Sequence, residues 1–157
     1  MPVIDHLKQM EDDRFLTIYS ALAEQGIGPL DSQVATALKF RPHAVKKLPM
    51  QARARQARRI LLAESNIELC YELFGGYLLK ERLDLVSEFL DQTGIAHEDG
   101  MIVDFEAAKP AGDKIESAVQ HLDGKFSSPD VSLYLSVCAE QWPEISEIQE
   151  AWGKRGD

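Results

Sequence analysis

Apolar residues recur along most of the chain at intervals of three or four, the spacing that gathers side chains on one face of an α-helix. Over residues 4–23 this spacing predicts a first helix, which ends at Gly26 and Pro29 because glycine favours a helix C-terminus and proline cannot continue the helix. Asp31 is suited to cap a second helix that runs to about Phe40. Alternating patterns typical of strands are scarce, so the pattern predicts an all-α protein.

Proline, asparagine and serine residues mark where the later helices begin. Pro49 is well placed in the first turn of a helix that runs to about Ser65, and Asn66 can cap the next one. Ser128, followed by Pro129, combines a capping side chain with a proline in the first turn. The predicted later helices are about 49–65, 66–80, 83–93, 115–124, one from 128 and one from 143.

One segment, 95–104, departs from the helical pattern. Asp99 and Gly100 stand between two short runs compatible with strands, and Asp-Gly is a signal for a two-residue hairpin turn. The segment is therefore predicted to form a small β-hairpin or an ordered loop.

The same turn carries a polar group of side chains, His97, Glu98 and Asp99. An imidazole beside carboxylates can bind a metal ion or transfer protons. The spacing fits neither a calcium-binding loop nor a zinc-binding helix, and turns favour Asp-Gly for backbone reasons alone. A solvent-exposed turn is therefore the preferred interpretation, and no metal site is predicted.

Composition places these elements in a folded domain. The chain has 157 residues, of which 45% are hydrophobic, enough for one packed core. We therefore predict a compact bundle of seven to nine short helices that forms a single domain over 1–157, with a frayed tail at 153–157.

Several cellular settings are excluded or favoured by simple sequence features. No uncharged stretch is longer than nine residues, so no membrane span is predicted. The N-terminal residues do not show the pattern of a secretory signal, and we expect a cytoplasmic protein. Cys70 and Cys138 both lie in apolar helical patterns, which indicates reduced thiols in the core rather than a disulfide framework.

Charge is the most informative feature because it is distributed unequally. The formal net charge is −9, yet residues 32–63 contain no acidic residue and carry a charge of +8. The rest of the chain therefore carries −17. The basic side chains of this block are Lys39, Arg41, Lys46, Lys47, Arg53, Arg55, Arg58 and Arg59.

Five members of the basic block are candidate binding residues for a partner or an anion. Arg55, Arg58 and Arg59 cluster on one face of the helix after Pro49, and three guanidinium groups can hold a phosphate or carboxylate by forked hydrogen bonds. Lys46 and Lys47 complete the candidate set. The alternative is that these cations pair with the protein's own acids or form a solvated helix face, and this alternative is favoured.

Residues 34–48 also resemble a helix-turn-helix unit in the spacing of their apolar positions. In that interpretation residues 42–48 enter the DNA groove. Lys39 stands where the turn usually has glycine, Pro49 shortens the second helix, and a net charge of −9 opposes approach to a polyanion. The apolar positions are Ala35, Leu38, Phe40, Val45 and Leu48.

The usual enzymatic signatures are missing from the sequence. It contains neither a Gly-x-Ser-x-Gly nucleophile elbow nor a phosphate-binding glycine loop, and no catalytic residue or cofactor is predicted. The sequence therefore favours a non-enzymatic, cytoplasmic protein–protein interaction module of adaptor or scaffold type, whose partner is another protein. A helix-turn-helix DNA-binding regulator that uses residues 34–48 is the alternative.

Overall fold

The structure is a computed structural model that describes residues 1–155, apart from the side chain of Pro42. Within this range the chain forms ten α-helices and one two-stranded hairpin, which confirms the predicted all-α class with a small hairpin. Its contacts divide the chain into two compact units, Val3–Tyr77 and the residues from Leu78 on. The prediction of a single domain stays a prediction.

The first unit is built from six helices. They are α1 (Pro2–Gln9), α2 (Asp12–Ala23), α3 (Gly28–Leu38), α4 (Pro42–Val45), α5 (Met50–Leu61) and α6 (Ile67–Glu81), with a 3-10 turn at Glu64–Asn66. The part of α6 up to Tyr77 belongs to this unit. The single helix predicted over 4–23 is wrong, because the backbone is extended at the buried residue Met10 and separates α1 from α2.

Asp31 has a different role from the predicted helix cap. Ile27 occupies the N-cap position of α3, and the carboxylate of Asp31 accepts a hydrogen bond from the Ile27 backbone N–H at 3.3 Å. Asp31 itself is buried inside the first turns of the helix. It therefore helps to satisfy the helix N-terminus from within.

The core of the first unit lies where α5 packs against α2 and α3. Ala54 and Ala57 present small side chains on the buried face of α5, which lets the neighbouring helices approach closely. Large side chains from α2 and α3 fill the remaining space. They are Phe15, Ile18, Tyr19, Leu30 and Val34.

The second unit contains the remaining helices and the hairpin. Its elements are α7 (Leu83–Thr93), β1 (His97–Glu98), β2 (Met101–Ile102), a 3-10 turn at Gly112–Lys114, α8 (Ile115–Lys125), α9 (Ser128–Gln141) and α10 (Ser146–Gly153). The two strands are antiparallel, with His97 opposite Ile102. Asp99 and Gly100 both have positive φ, as a tight two-residue hairpin turn requires, so the Asp-Gly signal identified the hairpin correctly.

Helix α9 forms the centre of the second unit and packs against α8 and α10. Ser127, one residue earlier than predicted, caps it by accepting a hydrogen bond from the Asp130 backbone N–H. Trp142 is buried and its indole Nε1 donates to the Ala108 carbonyl at 3.0 Å, while Ile148 of α10 is also buried. The last helix therefore closes the core of this unit.

The predicted frayed tail, 153–157, lies partly outside the described residues. Its described part includes Arg155, whose guanidinium donates hydrogen bonds to Asp123 and Ser132. Gly156 and Asp157 lie outside the described residues, so the prediction for the whole segment stays a prediction.

The structure can also be compared with the predictions for the two cysteines and for membrane-spanning segments. Cys70 and Cys138 are both buried thiols, as predicted, and burial raises the pKa of the Cys138 thiol to about 12. Over residues 1–155, no helix combines the length and the apolar character needed to cross a membrane.

Candidate functional site

The eight basic side chains of residues 39–59 divide into an inward and an outward group. Arg53 and Arg58 turn toward the protein and contact acids of the first unit. The other six are exposed and make no hydrogen bond or ion pair with any described residue. This outward group consists of Lys39, Arg41, Lys46, Lys47, Arg55 and Arg59. Internal pairing therefore accounts for two of the eight cations, and the other six lie on an exposed surface; whether they bind a partner stays a prediction.

Arg53 belongs to a buried cluster that joins α2, α3 and α5. Its Nη2 lies 3.6 Å from Asp31 Oδ1, and its guanidinium lies 5.7 Å from the ring centre of Tyr19. The Tyr19 hydroxyl donates to the same Asp31 oxygen at 3.3 Å. Burial, followed by the negative charge of Asp31, raises the pKa of Tyr19 to about 12. The phenol thus stays protonated and serves as a donor.

The distance of 3.6 Å between Arg53 Nη2 and Asp31 Oδ1 is longer than that of a hydrogen bond. Arg53 is only 5% exposed, and its Nε and Nη2 have no hydrogen-bond partner among residues 1–155. The positive charge is therefore held in the core mainly by the opposing carboxylate and the aromatic face of Tyr19.

Arg58, one of the candidate binding residues, makes its contacts within the protein. Its Nη2 donates to the carbonyls of Leu7 and Met10 at 2.8 and 2.5 Å, and its Nη1 donates to Asp12 Oδ1 at 3.1 Å. These bonds satisfy carbonyls at the end of α1 and connect them to the start of α2. The three-arginine cluster is thereby reduced to Arg55 and Arg59 as available donors.

An open cleft of about 220 Å³ lies between α2 and α5. We call it the α2–α5 cleft. Asp12 and Asp13 of α2 and Arg55 and Arg58 of α5 contribute charged groups to it. The other lining residues are Phe15, Leu16, Gln51 and Ala54, which are apolar except for Gln51.

The two arginines of the cleft differ in whether they have a polar partner within the described chain. Arg58 engages Asp12, whose side chain is otherwise 96% exposed. Arg55 is exposed and has no polar partner within the described chain. Because a guanidinium can bind a carboxylate through two parallel hydrogen bonds, the cleft is suited to an apolar side chain that stands beside an acid.

Lys46 and Lys47 directly follow α4, and both are exposed. Ala35 and Val45 are buried, as the helix-turn-helix spacing expects, but Phe40 is 47% exposed. The expected groove-entering helix over 42–48 is reduced to the four residues of α4. This single turn offers little length for contacts in a DNA groove.

His97 is held by contacts close in the sequence, and Glu98 and Asp99 are exposed. Its Nε2 lies 2.7 Å from Asp91 Oδ1, and its Nδ1 accepts the Gly100 backbone N–H at 3.0 Å. Across the described chain, no group of three His, Cys, Asp or Glu side chains is placed to hold a metal ion. Glu98 and Asp99 thus lie at an exposed turn, whereas the His97 side chain is only 12% exposed. The interpretation of this group as a solvent-exposed turn stays a prediction.

Sequence reasoning did not pair Arg53 with Asp31, and it did not anticipate Asp12 and Asp13 at the cleft. A signal for Arg53 was present, because residues four apart share a helix face and Arg53 precedes the buried Ala57 by four. No comparable signal in the sequence marks Asp12 and Asp13, since their position at the cleft depends on how α2 packs against α5.

No protein-family model, curated protein or solved structure matches the chain. The chemistry of its surface must therefore be derived from its own side chains. Two features stand out in the first unit, namely the α2–α5 cleft and the six outward cations.

Proposed function

We propose that the chain is a non-enzymatic, cytoplasmic protein–protein interaction module of adaptor or scaffold type that binds a segment of another protein in the α2–α5 cleft. The observation that carries the proposal is Arg55, an exposed and unpartnered guanidinium at a cleft that also exposes apolar groups. Arg59 lies four residues further along α5 and so shares the helix face of Arg55. The two provide a cationic edge for a bound acidic segment.

The chemistry of the cleft defines the partner segment. Leu16 is partly exposed and can contact one apolar side chain of the partner, whereas Phe15 and Ala54 line the cleft with little exposed surface of their own. Arg55 can bind a neighbouring carboxylate, whereas Asp12 and Asp13 repel an acid placed at the opposite wall. We therefore expect a short segment in which an apolar anchor is followed or preceded by Asp or Glu.

The lining of the cleft supports binding rather than covalent catalysis. Its eight residues include no serine, threonine, cysteine or histidine. One of its two carboxylates, Asp12, is already paired with Arg58. The side chains present can therefore orient a bound segment.

A photo-crosslinker placed at Gln51 tests the site directly. Gln51 is exposed and lines the cleft, whereas Gln92 is an exposed control position on α7. After nuclease treatment of a lysate, we expect a protein adduct from position 51 that is missing from position 92. The crosslinked partner peptide, identified by mass spectrometry, should contain an apolar residue beside an acid.

Charge substitutions distinguish specific binding at the α2–α5 cleft from a general attraction of the partner to positive charge. Arg55→Gln combined with Arg59→Glu should remove most of the adduct from position 51. Lys109→Gln combined with Lys154→Glu changes the net charge equally at exposed positions of the second unit and should leave the adduct intact. Equal adduct yields from the two variants would refute the proposal, and an adduct destroyed by nuclease would favour the nucleic-acid alternative.

A further inference from the structure

Two exposed aromatic side chains remain outside the α2–α5 cleft. Among the described residues, Phe40 and Phe105 are the aromatic side chains classed as exposed, at 47% and 57%. Phe40 lies in the first unit and Phe105 in the second. Exposed aromatic rings are common anchors of protein interfaces.

The residues that flank the two rings have opposite charge. Lys39 and Arg41 flank Phe40, and all three are exposed, so we call them the basic turn. Asp104 and Glu106 flank Phe105 and are exposed as well, forming what we call the acidic turn. Each turn thus presents an aromatic ring between two like charges, and the signs are complementary.

Local hydrogen bonds fix the backbone of the basic turn. Lys39 ends α3 in the left-handed conformation, at φ 59° and ψ 34°. The Phe40 N–H donates to the Ala35 carbonyl at 2.8 Å, the bond typical of a Schellman helix end. The position of Phe40 is therefore set by the end of α3.

The acidic turn is fixed by a side chain of its own. Asp104 Oδ1 accepts the backbone N–H groups of Glu106 at 3.2 Å and Ala107 at 3.3 Å, which places Phe105 within a tight turn. The preceding Val103 N–H donates to the Ala96 carbonyl at 3.2 Å. Met101 and Val103 are also exposed and extend the apolar surface that leads to Phe105.

We propose that the basic turn of one copy of the chain binds the acidic turn of a second copy. Lys39 and Arg41 then face Asp104 and Glu106, and the two phenylalanine rings pack between the charges. Both turns are ordered before they meet, so little conformational entropy is lost on contact. This inference involves none of the residues of the α2–α5 cleft and does not rest on the proposed function.

The association is head-to-tail, since two different surfaces meet. A head-to-tail contact leaves one basic and one acidic turn free in each dimer, so it continues into a ring or an open chain. The contact surface of two turns is smaller than a standard stable interface, and the association is therefore weak and reversible. Salt at physiological strength screens the general repulsion between two acidic chains beyond a Debye length of about 8 Å, while directly opposed charges still attract.

Sedimentation velocity of the full chain, up to millimolar concentration, tests the proposal. The weight-average sedimentation coefficient should rise with concentration. Lys39→Gln with Arg41→Glu, or Asp104→Asn with Glu106→Lys, should each raise the dissociation constant about tenfold or more, because like charges then oppose each other. Asparagine at 104 keeps the oxygen that accepts the two backbone hydrogen bonds. Lys114→Gln with Lys154→Glu, at exposed positions outside both turns and outside the α2–α5 cleft, matches the charge change of the basic-turn variant and should leave the association unchanged.

Two further samples test the head-to-tail geometry. In a mixture of the basic-turn and acidic-turn variants, the natural acidic turn of one variant can meet the natural basic turn of the other, and the two altered turns are also opposite in charge. The mixture should therefore associate more strongly than either variant alone. The variant that combines all four substitutions has the natural net charge, with the signs of the two turns exchanged and each charge smaller, and it should regain part of the self-association. Circular dichroism checks that each variant is folded.

Substitution of the aromatic rings gives an independent readout. Phe40→Ser and Phe105→Ser change exposed positions, and each should abolish the concentration dependence. A natural chain that stays monomeric at millimolar concentration would overturn the proposal. A mixture of the two turn variants that associates no better than either variant alone, or serine variants that associate like the natural chain, would also overturn it.

Discussion

Arg53 and Arg55 stand two positions apart on α5, yet the structure places them in opposite environments. Arg53 is buried beside Asp31 and the ring of Tyr19, whereas Arg55 is exposed at the α2–α5 cleft. Arg58 and Arg59 repeat the contrast in adjacent positions, since Arg58 binds the end of α1 and Arg59 is exposed. A helix turns about 100° per residue, so near neighbours face different sides. A run of like charges can thus divide into structural and available groups.

The largest expected effect concerns the buried arginine. Arg53→Ala leaves the Asp31 carboxylate buried without its countercharge, and the free energy of unfolding should fall by about 3–5 kcal/mol. Arg55→Ala removes an exposed cation and should change it by less than about 0.5 kcal/mol. Urea unfolding followed by circular dichroism measures both values.

The same pair allows a sharper comparison. Arg53→Met combined with Asp31→Asn removes both buried charges, so the double variant should be more stable than Arg53→Met alone. Similar losses from Arg53→Ala and Arg55→Ala would show that the buried pair does not support the fold.

Two histidines extend the comparison to pH dependence. Burial, followed by the positive charge of Arg14, lowers the pKa of His6 from 6.5 to about 4, whereas His43 is exposed. The folded state therefore resists protonation of His6 more than the unfolded state does. Stability contributed by neutral His6 is present above pH 6.5 and should be lost, by up to about 3 kcal/mol, as pH falls toward 4.

Replacement of each histidine isolates this contribution. His6→Gln should reduce the loss of unfolding free energy between pH 6.5 and 4, and His43→Gln should leave it unchanged. Thermal and urea unfolding at several pH values provide the measurement. An equal pH dependence in the natural chain and in His6→Gln would contradict the assignment.

A smaller effect is expected at Arg58. Arg58→Ala removes the donors to the carbonyls of Leu7 and Met10 and the contact with Asp12. We expect a loss of about 2 kcal/mol, because the remaining backbone groups lose charge-assisted hydrogen bonds. Amide exchange should show faster opening of α1.

Arg59→Ala is the adjacent control for this substitution. Its side chain is exposed and makes no polar contact with the described residues. Its effect on unfolding should stay within about 0.5 kcal/mol. If Arg58→Ala changed the free energy of unfolding as little as Arg59→Ala, the hydrogen bonds from Arg58 to the end of α1 would contribute little to stability.

Elements governed by neighbouring residues were predicted well. The hairpin turn at Asp99 and Gly100 follows from the ability of these two residues to adopt positive φ. The end of the helix predicted over 83–93 is equally local, since Gly94 follows α7 in the left-handed conformation that glycine favours. Both predictions needed only a few consecutive residues.

Elements that depend on distant contacts were missed. The break at Met10 coincides with the guanidinium of Arg58, a residue 48 positions away, which binds the carbonyl at that break. Asp31 was predicted to be a helix cap from its neighbours in the sequence alone. Its burial beside Tyr19 and Arg53 depends on the packing of three helices, which those neighbours do not reveal. Helical periodicity in one segment contains no information about such contacts.

The sequence by itself determined the all-α class, the hairpin turn and the position of the basic block, because periodicity, turn chemistry and charge are properties of short segments. Tertiary structure decided which cations of that block are available. Arg53 and Arg58 meet acids from α3 and α2, far from them in the chain, while Arg55 and Arg59 do not. Charge pairing is set by which helices pack together, and that packing leaves Arg55 and Arg59 exposed on α5.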